Sequence, residues 1–136
     1  MIDVDLARRL KDAGLGWRPA RGDAFAVPDR DLDGEVFVVS DLVVELREVP
    51  EGPPILAFNG TTEWALDSLE AHEAIWLPSE AQLRDVLGEA FVGLERLPGE
   101  AGGWAVTVTG PDGVPERHVD LDPVAAHARA VLARLA

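Results

Sequence analysis

The chain contains no cysteine, which removes disulfides, thiolate zinc sites, iron–sulfur ligation and a cysteine nucleophile together. Tyrosine is absent as well, and lysine occurs once, at Lys11. No Gly-x-x-x-x-Gly-Lys-Ser/Thr loop is present, so phosphate cradling of the P-loop type is excluded. Serine is scarce: Ser40, Ser68 and Ser79 are the whole set, and none lies in a Gly-x-Ser-x-Gly elbow. The three histidines, His72, His118 and His127, show neither His-x-His nor His-Glu-x-x-His spacing. That leaves no zinc motif, and each histidine is expected at the surface or at an edge. No apolar run approaches the ~20 residues of a membrane span. The stretch Met-Ile-Asp-Val-Asp-Leu-Ala-Arg-Arg has no apolar core of the kind a secretory signal needs, so the cytoplasm is the expected location.

What the chain has in excess is negative charge. Its 136 residues carry 25 acidic against 12 basic groups, a net charge of −13. Residues 1–30 hold six basic and five acidic groups, whereas residues 31–123 hold four basic and twenty acidic ones. Such a field repels nucleic-acid phosphate and anionic lipid over a Debye length of roughly 8–10 Å. It permits a basic protein partner; solubility alone is the plainer use of the charge. Arginine in place of lysine, with heavy use of Ala, Gly, Pro and Val, fits a GC-rich bacterial genome. The length suits one domain over residues 1–136, able to bury roughly two-thirds of its unfolded surface without a disulfide or metal.

Local signals predict an α+β fold. Asp3 or Asp5 caps a first helix, with Leu6, Leu10 and Ala13 on its apolar stripe and Gly14 beyond its end. Residues 23–27, 35–40, 42–49 and 55–58 read as strands, being rich in Val, Phe and Leu. Thr61 or Thr62 caps a short helix through Leu69. Ile75-Trp76-Leu77 is an apolar plug ended by Pro78. Ser79-Glu80-Ala81-Gln82 has the form of a capping box, opening a helix buried through Leu83, Val86 and Leu87 and stopped by Gly88. A meander follows through residues 91–97, 104–109 and 114–121, with Trp104, Val106 and Val108 facing the core and Thr107 and Thr109 opposite. Asp122-Pro123 then starts a last helix with proline at its first position, and Val124, Ala128, Val131 and Leu135 mark its buried face. The expected architecture is an antiparallel sheet with the helices of residues 79–87 and 123–135 packed on one face.

The sharpest chemical pattern is Asp29-x-Asp31-x-Asp33-Gly34. Three aspartates at odd offsets before a glycine open a calcium loop, since hard cations gather carboxylate oxygens around a tight turn. The twelfth position, however, is Ser40, where a bidentate glutamate is required, and the next segment reads as strand. A helix–loop–helix calcium site is therefore rejected, and an Asp-rich connection between strands is the expectation. Calorimetric titration with calcium should show no binding tighter than about 100 μM; tighter binding abolished by Asp31→Asn would reverse this. Trp17, Trp64, Trp76 and Trp104 are expected in the core, with a pocket lining as the alternative. Sequence spacing selects no pair among the 25 carboxylates as a glycosidase-like acid and base.

The acidic middle of the chain supplies a candidate partner surface. On the helix expected there, Glu63, Asp67 and Glu70 fall at i, i+4 and i+7, with Glu73 following. Like charges so spaced cost about 0.2–0.5 kcal/mol per pair, a cost that a basic partner would relieve.

Trp76-Leu77-Pro78-Ser79, a Leu-rich helix, a strand pair containing Trp104 and a C-terminal helix together resemble small uncharacterised actinobacterial and phage-associated proteins. The resemblance covers roughly residues 62–136 and implies no catalytic residues. Some of those proteins carry a pilus-assembly label, whose implied ATPase needs the P-loop that this chain lacks. The leading expectation is a non-catalytic interaction module, immunity-like or regulatory, that meets a basic protein and carries no cofactor. The alternative is a small-ligand or metal-dependent activity centred on residues 29–35.

Overall fold

Helix α1 spans Val4–Asp12 in a computed structural model that describes residues 1–28, 36–39, 43–47, 55–59, 68–70 and 73–136. Asp3 begins the helix by accepting the amide of Asp5 at 2.7 Å, satisfying one of the four orphan donors at a helix start. Ile2, Ala7 and Leu10 are buried. Ala13, expected on the same stripe, is exposed, because it is the C-cap and the helix ends before it. Gly14 follows at φ 109°, the left-handed geometry that closes a helix with least strain on glycine.

Among the described residues the strands are β1 Ala24–Ala26, β2 Val36–Val38, β3 Val43–Arg47, β4 Ile55–Asn59, β5 Ser68–Glu70, β6 Ile75–Leu77, β7 Phe91–Arg96, β8 Trp104–Thr109 and β9 Pro115–Asp120. Helix α2 runs Glu80–Leu87, a 3-10 turn Gly88–Ala90, and α3 Pro123–Leu135. The strands form three antiparallel sheets, ordered β2-β1-β6, β3-β4-β5 and β7-β8-β9. The fold is α+β, with three small sheets among the described residues where one was expected. No helix among the described residues is long and apolar enough to cross a membrane.

The chain divides into two compact units, Met1–Leu15 with Pro78–Ala136, and Gly16–Leu77. In the Gly16–Leu77 unit, β1 lies between β2 and β6, with Phe25 opposite Phe37 on one side and Trp76 on the other. Phe25, Ala26, Val27, Val39, Ile75 and Leu77 are buried. The sheet of β3, β4 and β5 corrects one expectation. Leu69 pairs with Leu56 as strand, so the helix predicted through Leu69 does not reach it. Residues 61–67 lie outside the described residues.

In the other unit, Ser79 and Gln82 form the predicted capping box. The Ser79 hydroxyl accepts the Gln82 amide at 3.1 Å, and the Gln82 side chain accepts the Ser79 amide at 2.9 Å. Leu83 and Leu87 are buried, but Val86 is 43% exposed. Helix α2 packs chiefly on α3, and a single neighbour covers only a narrow stripe. Asp122 accepts the Val124 amide at 2.9 Å and Pro123 takes the first helical position, as read from sequence.

Helix α3 lies against β8, β9, α1 and α2. Its buried residues are Ala126, His127, Ala128, Ala130 and Val131. Ala128 and Val131 match the expected face; Val124 and Leu135 are only half-buried. The alanines let neighbouring elements approach closely, and fully burying a side chain such as Leu83 or Val131 contributes about 1.5–3 kcal/mol. Val106 and Val108 are buried as predicted. Trp104 is only half-buried: it sits at the strand's start with Arg96 5.9 Å from its ring centroid, where a cation over the indole face is attracted.

Candidate functional site

Three of the sequence-predicted site residues, Asp29, Asp31 and Asp33, lie outside the described residues, as do Glu63 and Asp67. Glu70 ends β5, so the helical i, i+4, i+7 stripe fails at its last member: a strand turns successive side chains to opposite faces. Glu73 is half-buried just before β6. Among the described residues no group of three or more His, Asp or Glu is placed to hold a metal ion.

Instead, the structure gathers charge where α1 and α3 begin. An open cleft of about 730 Å³ is lined by Asp3, Asp5, Arg9, Asp120, Asp122 and Arg129, together with Met1, Ile2, Val4, Leu6 and Ala125. Two helix N-termini open onto it, and each already has its own carboxylate cap: Asp3 for α1 and Asp122 for α3. Asp120, the last residue of β9, accepts Arg129 Nε at 2.8 Å and the Asp122 amide at 3.1 Å. The first partner comes from α3 and the second from the turn between strand and helix, so this carboxylate ties β9 to the helix that covers it.

The Arg129 hydrogen bond holds the Asp120 carboxyl below its usual range; burial works against this, and the Asp122 amide adds to the lowering. A folded-state pKa below the unfolded value of about 3.9 stabilises the fold above that pH. The contribution disappears as pH falls through the depressed value. Replacing Arg129 by Ala should move the Asp120 titration up toward the ordinary carboxylate range, read by NMR of the carboxyl carbon. An unmoved midpoint would mean that Arg129 is not the cause.

A second constellation lies inside the same unit. His127 is fully buried, contrary to the expectation of a surface or edge residue. Its Nδ1 is 2.7 Å from the Pro123 carbonyl oxygen, an acceptor only, so Nδ1 carries the proton. Nε2 then presents its lone pair, and Arg84 Nη2 lies 3.5 Å away. The same Nη2 donates to Glu80 at 2.9 Å, the favourable i, i+4 order on a helix. Arg84 also lies 5.2 Å from the Phe91 ring centroid, and Phe91 stacks on His127 at 5.8 Å and 14°. Arg84 Nε is buried without a hydrogen-bond partner; the nearby Phe91 ring offers the cation electrostatic compensation in place of an oxygen.

A bulge in β7 puts Phe91 there. The register jumps between Phe91 and Gly93, so Phe91 faces Val108 while Leu94 faces Val106. Residues three apart in a regular strand lie on opposite faces; the extra residue returns Phe91 to the α3 side. Val92, the inserted residue, is 61% exposed. Comparison with family models, with curated proteins and with solved structures found no match. The chemistry of these two constellations is cohesive, consisting of caps, cross-element ion pairs and a buried ring stack.

Sequence reasoning missed the burial of His127, since a lone polar residue on a helix gives no sign of how many elements will surround it. Of the other two histidines, His72 lies outside the described residues. His118 is half-buried on β9, its Nε2 3.7 Å from Glu116, consistent with the expected edge placement. In the Gly16–Leu77 unit, Asp23 is buried and accepts Trp17 Nε1 at 2.9 Å and the Ala20 amide at 3.0 Å on one oxygen. It pins the segment preceding β1.

Proposed function

We propose that the chain is a non-catalytic, acidic protein-interaction module, immunity-like or regulatory in kind, that meets a basic protein in the cytoplasm. The supporting observation is the division of charge between the two units. Gly16–Leu77 holds thirteen acidic against four basic residues, while the other unit holds twelve against eight. In the second of these, Asp3 and Asp122 serve as caps, and Glu80, Glu95 and Asp120 pair with Arg84, Arg117 and Arg129. The acidic surplus of Gly16–Leu77 is therefore the main source of a field that would steer a cationic surface. Membership among the small actinobacterial and phage-associated proteins that residues 62–136 resemble belongs to the same proposal.

The test is capture from a lysate of the source organism, mass spectrometry of what binds, and kinetics with the recovered protein. A basic partner is expected, with an association rate that falls about tenfold or more as salt rises. The double reversal Asp67→Lys with Glu70→Lys should slow association at low salt and flatten its salt dependence. An acidic partner, or a rate indifferent to both salt and reversal, would overturn the proposal.

A further inference from the structure

We draw no further inference here: the strongest candidate, the face of the β7–β8–β9 sheet opposite α3, where Val119 stands 48% exposed beside the Glu95–Arg117 ion pair, carries nothing because nothing in the structure shows what covers it.

Discussion

Replacing His127 by Ala should destabilise the protein by about 3 kcal/mol, near the lower end for loss of a buried aromatic ring. The imidazole is fully buried, so its removal leaves a cavity between Phe91, Arg84 and the first turn of α3. Two polar consequences add to the cavity. The Nδ1 hydrogen bond to the Pro123 carbonyl is lost, though the carbonyl keeps its helical partner, the backbone amide. Arg84 Nη2 loses the lone pair it faces and retains Glu80. His127→Phe separates the contributions: it keeps a ring stacked on Phe91 and removes both nitrogen contacts, so about 1 kcal/mol should be lost. Urea denaturation followed by far-UV circular dichroism measures both variants. If Ala costs no more than Phe, the ring is not packed as described.

The elements that were legible share one property: their signals are local. The Ser79–Gln82 capping box, the Asp122-Pro123 start of α3 and the Gly-rich turns of the meander each act within a few residues, where partners are fixed by chain connectivity. Gly113 shows this well. It closes the turn after Pro111-Asp112 at φ 81° and donates to the Gly110 carbonyl at 2.9 Å, a geometry glycine adopts with little strain. The misread features depend on neighbours distant in sequence. Leu69 lies in a strand because Leu56 pairs with it, and such pairing overrides a weak helical preference. His127 is buried because sheet and helices meet on α3 from several sides, so its buried surface is wider than one amphipathic stripe. Phe91 reaches His127 only through a bulge, which alternation alone does not reveal. The candidate site was less legible than the fold. Acidic composition pointed to a charged surface, but composition does not tell which carboxylates the fold uses as caps and ion-pair partners.

Asp23 should prove as costly to lose as His127, for a different reason. Its side chain accepts the indole N–H of Trp17 and the amide of Ala20 on a single carboxylate oxygen, and the residue is only 6% exposed. Its own backbone continues the link: the Asp23 carbonyl accepts the Val39 amide at 2.9 Å. Trp17 in turn packs 5.5 Å from Phe25, and Phe25 packs 5.5 Å from Phe37. The carboxylate thus fixes the approach to β1 and holds the first ring of an aromatic row. Asp23→Ala strands two donors in a largely buried place, each costing about 1–3 kcal/mol, so a loss of about 3 kcal/mol is expected. Asp23→Asn can set its carbonyl oxygen where the accepting oxygen stood, keeping both bonds at neutral strength, and should lose about 1 kcal/mol. The Trp17 indole proton offers a local readout beside global stability. Its exchange with solvent should be slow in the wild type, somewhat faster in the Asn variant and fast in the Ala variant. Equal losses in Asn and Ala would show that the negative charge, rather than the accepting oxygen, holds the segment.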